Sequence, residues 1–322
     1  MKSPISDLQF PLEKREGGRW RASIADRRSQ IANLAGFTLI EVMVAISLLS
    51  LIVIALMAVF NSTQAAFRAS VTQTDVLASG RAAMDLIAGD LRALAPSMGY
   101  SNVAQVNYRG PVNFCVATNY YNNPPLVQNL TASSSTRTNV QQDMFILSRG
   151  NQNGVPTWYG TGYAVYLSPS NTYSLYRFSA HRPVAQSLSA SNLFYTDFFN
   201  FINRPNSGNY SHLLDGVVGF RVKTYDANGA LIVTNQINIT TNAVPFFFPC
   251  LAFYSNALPG SVEIELATLE DRTLLRADSR PGDLPALPPG DSRTQYLEGQ
   301  ASKVHVFRQR VAIPNVDPSV YP

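Results

Sequence analysis

The chain has 322 residues, of which 14% are charged and 46% are hydrophobic, with 25 Lys and Arg against 21 Asp and Glu. That is enough for one large domain behind a membrane anchor. The basic excess sits almost wholly at the start. Residues 1–36 carry Lys2, Lys14, Arg15, Arg19, Arg21, Arg27 and Arg28 against Asp7, Glu13, Glu16 and Asp26, a net of +3, and the remainder is 18 basic minus 17 acidic, or +1. A near-neutral body argues against nucleic-acid binding.

Next comes the apolar segment. Phe37–Phe60 holds fifteen residues from the Leu/Ile/Val/Phe set, each worth roughly −0.3 to −0.6 kcal/mol on an insertion scale. Their sum, roughly −4.5 to −9 kcal/mol, outweighs the single carboxylate, Glu41, at about +2.5 to +3.5 kcal/mol. The segment is long enough and apolar enough to span a bilayer. The basic residues ahead of it keep the N-terminal end cytoplasmic and send the C-terminal part across.

Ala35-Gly36-Phe37-Thr38-Leu39-Ile40-Glu41 leads into Val42–Phe60 without a further charge. This order resembles the class III signal of type IV prepilins and of type II secretion pseudopilins. The resemblance implies that residues 1–36 are a leader removed by a prepilin peptidase between Gly36 and Phe37. It also implies N-methylation of the new N-terminus, Phe37, and a pairing of Glu41 with the N-terminal amine of a neighbouring subunit during assembly. An ordinary signal anchor with Glu41 at the headgroup level is the plainer alternative, and it leaves the Gly-Phe-Thr-Leu-Ile-Glu order unexplained.

From Ser62 the pattern becomes amphipathic. Phe67, Val71, Ala78, Met84, Ile87, Leu91 and Leu94 recur at three-to-four spacing among Arg68, Asp75, Arg81, Asp85 and Arg92. The spacing predicts one helix over Phe37–Leu94, with a membrane half at 37–61 and an amphipathic half at 62–95. Residues 96–322 then form a globular head. Pro96–Gln142, rich in Asn, Ser, Thr and Tyr, reads as an irregular or partly stranded surface insertion. Cys115 and Cys250 in the exported part allow either one bridge or two separate buried thiols. A bridge would close a loop of over a hundred residues and contribute roughly 5 kcal/mol on the chain-entropy model.

Strands are predicted at Met144–Ser148, Tyr163–Leu167, Tyr173–Phe178, Val217–Tyr225, Ala230–Thr234, Val262–Leu269 and Val304–Val311. Ser168-Pro169-Ser170-Asn171 turns one hairpin, and Asp226-Ala227-Asn228-Gly229 turns another. Pro281–Pro289, with four prolines and a glycine, predicts a loop. Ser174-Leu175-Tyr176-Arg177, Leu214-Asp215-Gly216-Val217 and the run Leu258-Pro259-Gly260-Ser261-Val262-Glu263-Ile264-Glu265-Leu266 resemble, in that order, J-type minor pseudopilins and PilW-type minor pilins. The fold this implies is α+β: a long N-terminal helix packed on antiparallel sheets.

Chemistry-bearing constellations are sparse. His181, His212 and His305 lack neighbours at metal-ligand spacing, and no metal or cofactor is implied. Ser211-His212 with Asp215 invites a triad reading but lacks a nucleophile elbow. Glu263 and Glu265 alternate with Val262 and Ile264 and read as the wet side of a half-buried strand rather than an acid/base pair. Gly160-Thr161-Gly162 lacks the helix that a phosphate cradle needs. Asp226 and its neighbours lack the spacing of an EF-type calcium loop. Two aromatic clusters, Phe194, Tyr195, Phe198, Phe199, Phe201 and then Phe246, Phe247, Phe248, Phe253, Tyr254, are either core filler or a surface for a partner pilin.

The expectation is a non-enzymatic subunit, a minor pilin or minor pseudopilin that initiates or caps a type IV pilus or a type II secretion pseudopilus. Its partners would be the prepilin peptidase, other minor and major pilins or pseudopilins, and the inner membrane, with the head in the periplasm. A tip adhesin is the alternative from the binding class, and a signal-anchored periplasmic enzyme is the one from the catalytic class.

Overall fold

No proline interrupts the chain between Phe37 and Ala95, and α1 (Leu39–Arg92) runs that distance as one helix, so the sequence expectation holds to within two residues at each frayed end. The computed structural model describes residues 36–97, 112–118, 125–130, 135–166, 173–184, 194–201, 208–233, 239–243, 250–280 and 292–321. The chain divides into two units, Met1–Gln64 and Ala65–Pro322. The leader before Gly36, the 168–171 turn, the 281–289 loop and Phe246–Phe248 all lie outside the described residues.

In the first unit every large apolar side chain of α1 from Leu39 to Phe60 is exposed. A helix apolar on all sides and covered on none is built for lipid or for other helices. Its hydroxyls are satisfied from within. Ser47 Oγ donates to the Val44 carbonyl at 2.8 Å, Ser50 Oγ to Ser47 at 2.8 Å, and Thr63 Oγ1 to Val59 at 2.9 Å. These three hydroxyls need no water for a partner.

In the second unit α1 buries one stripe, Val76, Gly80, Ala83, Met84, Ile87, Ala88 and Leu91. The predicted stripe was displaced at its start. Phe67, Val71 and Ala78 are exposed, and burial begins only at Val76. The stripe packs into one continuous core between two sheets. The larger has seven antiparallel strands in the order β7-β6-β5-β4-β1-β10-β9. These are β1 (Val112–Thr118), β4 (Gln142–Gln152), β5 (Val155–Tyr166), β6 (Ser174–Pro183), β7 (Tyr210–Leu214), β9 (Ile239–Ala243) and β10 (Cys250–Tyr254). It contributes Phe114, Met144, Ile146 and Tyr163 to that core. The smaller sheet has the order β12-β11-β8, with β8 (Val217–Tyr225), β11 (Ser261–Leu269) and β12 (Val304–Ala312), and contributes Phe220, Ile264 and Leu266. β2 (Leu126–Asn129) and β3 (Thr136–Asn139) pair as a separate hairpin.

The back of the seven-stranded sheet holds a second core, which joins Cys115, Ala117, Phe145, Leu147, Phe178 and Ala252 with Phe194 and Phe198 of the short helix α2 (Phe194–Phe201). Two expectations change here. Pro96–Gln142 is not only a surface insertion, because β1 is an interior strand between β4 and β10 with six of its seven residues buried. A strand buried on both faces shows no alternation, so Val-Asn-Phe-Cys-Val-Ala-Thr carries no period-2 signal. Ala230–Thr234 does not form a full strand in its described part, making an isolated bridge from Leu231 to Tyr225 after a turn with Gly229 at φ 85°. The two short helices α3 (Asp271–Asp278) and α4 (Arg293–Glu298) flank the predicted loop.

Helix α2 can lie on the sheet because Gly160 and Gly162 leave room for it. A Cβ at Gly160 would sit 2.5 Å from Phe194 Cβ, and one at Gly162 would sit 2.4 Å from the Phe198 ring. The rings of Phe198 and Phe178 lie 5.7 Å apart, and Tyr210 Oη donates to the Phe198 carbonyl at 2.8 Å. The first aromatic cluster is therefore core at Phe194 and Phe198, and in the second Phe253 and Tyr254 are also buried.

One polar cluster fastens α1 to the sheet. Arg177 of β6 donates to Asp90 through Nε at 2.8 Å and through Nη2 at 3.1 Å, and the buried Tyr163 hydroxyl of β5 donates to the same carboxylate. The hydrogen bond to Asp90 pushes the Arg177 guanidinium further up, while burial and the Asp90 charge push up the Tyr163 phenol. Asp90→Ala leaves a half-buried cation and a buried hydroxyl without their acceptor. The expected loss is about 2–4 kcal/mol, read as a lower urea midpoint of the detergent-solubilised chain. Asp90→Asn, which keeps one acceptor oxygen, should lose less.

Candidate functional site

The start of α1 is where the sequence places its function. The first turn of any helix leaves N–H groups unpaired. Here Thr38 and Glu41 answer each other across that turn. Glu41 N–H donates to Thr38 Oγ1 at 3.4 Å, and Glu41 Oε2 accepts from Thr38 N–H at 2.9 Å and from Thr38 Oγ1 at 2.9 Å. This is a reciprocal capping box. Val42 N–H reaches the Thr38 carbonyl at 3.3 Å and closes the first turn. Both side-chain bonds fall on one carboxylate oxygen, and among the described residues no bond is made to Oε1.

Phe37 is 86% exposed, and no atom lies within 4 Å of a Cβ built on Gly36. Among the described residues nothing covers the Gly36–Phe37 peptide or crowds a side chain at position 36. Gly36 and Phe37 stand just ahead of α1, and Glu41 lies in its first turn. Thr38 is the member that sequence reasoning passed over. The signal for it was present, since Thr-x-x-Glu ahead of an apolar run is the sequence form of a capping box.

The other candidates sit in the second unit. Cys115 and Cys250 lie on adjacent strands. Cys115 is opposite Ala252 and Cys250 is opposite Ala117, so the two are diagonal neighbours on one face. Both are buried. The hydrogen bond to Cys250, together with burial, pushes the Cys115 thiol up. His212 Nε2 lies 2.7 Å from Asp215 Oδ1, and Ser174 Oγ donates to that same oxygen. The serine bonded there meets the carboxylate instead of the imidazole, which is not the order that activates a nucleophile. Glu263 receives Lys223 at 3.2 Å and Tyr225 Oη at 3.2 Å. Partial burial pushes its carboxyl up, but these bonds outweigh it and hold the group below its usual range. Glu265 pairs with Arg308. The two glutamates are thus engaged in ion pairs on the open face of β11. Among the described residues no group of three His, Cys, Asp or Glu side chains is placed to hold a metal.

The family model for the prokaryotic N-terminal methylation motif matches residues 32–57. This span covers the Gly36–Phe37 bond, the capping box and most of the apolar half of α1. The chain therefore carries a class III prepilin signal on a helix long and apolar enough to cross a membrane, followed by antiparallel sheets, and so is pilin-like in its N-terminal organisation. No curated protein and no solved structure matches it.

One buried acid was not anticipated. Asp143 on β4 is 2% exposed, its Oδ2 has no hydrogen-bond partner among the described residues, and burial pushes its pKa from 3.8 up to about 8. The folded head therefore holds a proton that the unfolded chain releases near its ordinary pKa. Between those two values the folded state binds more protons, so this group's contribution to stability falls as pH rises. Asp143→Asn should remove that slope, which is at most about 1.4 kcal/mol per pH unit. Urea midpoints from pH 4 to 8 should show the variant gaining on wild type as pH increases.

Proposed function

We propose that this protein is a minor pilin or minor pseudopilin, a structural subunit that helps initiate or cap a type IV pilus or a type II secretion pseudopilus. The observation that carries the reading is the methylation motif on a helix whose apolar half is exposed on every side. Such a helix needs lipid before assembly and other helices after it. In this account a prepilin peptidase cuts the open Gly36–Phe37 bond, Phe37 is N-methylated, and the apolar half packs among equivalent helices of other pilins. The head stands in the periplasm behind an inner-membrane anchor. Helix packing does the work, with no bond made or broken by this chain.

Glu41 would hold two jobs at once. Oε2 caps the helix through Thr38, while Oε1 takes the amine of a neighbouring subunit's Phe37. An amine left without its partner at that depth costs about 2.5–3.5 kcal/mol, so losing the charge should cut incorporation by at least about tenfold. Glu41→Gln separates the jobs, because its carbonyl can still cap the helix but carries no charge. The expected result is normal membrane insertion with little Glu41→Gln protein in sheared filaments or pseudopili. Incorporation equal to wild type would remove the proposed charge pair.

A further inference from the structure

The second core holds both cysteines of the chain, at adjacent places on strands that are far apart in sequence. β1 and β10 pair antiparallel, with Cys115 opposite Ala252 and Ala117 opposite Cys250. Both side chains enter the same apolar cluster, at 2% and 5% exposure. The Cα atoms of diagonal neighbours in such a pair lie about 7–8 Å apart, with Cβ atoms closer. That is just beyond the usual span of a disulfide, about 4.4–6.8 Å. Strand twist brings one diagonal nearer than the other, and the two side chains share one face of the β1–β10 pair inside a single buried cluster, with Cys250 acting on the Cys115 thiol as a hydrogen-bonding neighbour.

We propose that Cys115 and Cys250 form an intramolecular disulfide in the exported protein. The chemistry is thiol–disulfide exchange with a disulfide-bearing oxidant of the compartment outside the cytoplasm. One cysteine, as its thiolate, attacks the oxidant's S–S bond and forms a mixed disulfide. The second thiolate then displaces the oxidant's remaining sulfur. Each cysteine loses its proton, the S–S bond forms between Cys115 and Cys250, and the oxidant leaves as a dithiol that carries away two electrons.

Burial sets the timing. An oxidant cannot reach thiols as buried as these in the folded head, so the exchange belongs to folding after export, before the second core closes. The architecture shows what the bond would hold. Among the described residues of the seven-stranded sheet, β10 and β9 join the remaining strands through the β1–β10 pairing. The bond crosses that seam and closes the chain segment that includes β2 through β9.

This inference rests on the export of the head proposed above, so the test reads both. The full-length chain is extracted from membranes in denaturant with an alkylating reagent and no reductant, then digested and analysed by mass spectrometry. The expected result is a peptide containing Cys115 joined to one containing Cys250, two hydrogens lighter than the separate peptides, with both cysteines alkylated only after reduction. In Cys115→Ser, Cys250 should take the alkylating reagent without reduction. Alkylation of both wild-type cysteines before reduction would overturn the bond, as would Cys250 remaining blocked in Cys115→Ser. Protease digestion of intact spheroplasts, run in parallel, reports export by itself. A head that is cleaved from outside but carries two alkylated thiols would overturn the bond and leave export standing.

Discussion

Everything in this chain depends on one helix changing what it is soluble in partway along its length. Over Leu39–Phe60 the helix is apolar on all sides and covered on none. From Val76 onward it hides a single stripe, Val76, Gly80, Ala83, Met84, Ile87, Ala88 and Leu91. The stretch between, which includes Phe67 and Val71, is exposed and belongs to neither regime. The head cannot float free of this helix. Ile87, Ala88 and Leu91 are wholly buried and stand where the seven-stranded and three-stranded sheets meet. Removing the amphipathic half would open the first core rather than trim an appendage.

Apolar burial alone does not fix how such a stripe is turned and slid along its sheet, since hydrophobic contact has no direction. The Asp90 carboxylate supplies direction. It takes two donors from Arg177 on β6 and the hydroxyl of Tyr163 on β5, so one side chain of the helix is registered against two strands of the sheet. The second core works differently. There α2 is tied to β6 at the edge by the half-buried Arg182–Asp197 pair at 3.0 Å, with the Arg182 guanidinium over the Phe194 ring. Aromatic rings there reach the sheet because Gly160 and Gly162 present no side chains, and Asp143 and the two cysteines are enclosed with them.

What could be read in the sequence was what depends on local order. The Gly-Phe-Thr-Leu-Ile-Glu signal, the apolar length after it and the uninterrupted helix are all properties of contiguous residues. So were the β5–β6 hairpin and the alternating start of β11. The site at the start of α1 was legible for the same reason, although the role of Thr38 was overlooked. β1 was hidden because both of its faces are buried, which erases the alternation that marks a strand. Asp90, Tyr163 and Arg177 lie 73 and 87 positions apart along the chain, and no local pattern links them. The same holds for the two glycines beneath α2, which a reader of the sequence meets first as a Gly-x-Gly. Only the sheet register shows that they face aromatic rings.

The central claim is that Gly36–Phe37 is a processing site and that α1 begins life in the membrane and ends it among other helices. Mass spectrometry of the intact N-terminus of the membrane-extracted protein, from cells with and without the prepilin peptidase, tests it most directly. The account predicts a chain beginning at methylated Phe37 when the peptidase is present, and one retaining residues 1–36 when it is absent. A chain that keeps its first 36 residues in both cells would contradict it, and would leave α1 as a plain signal anchor.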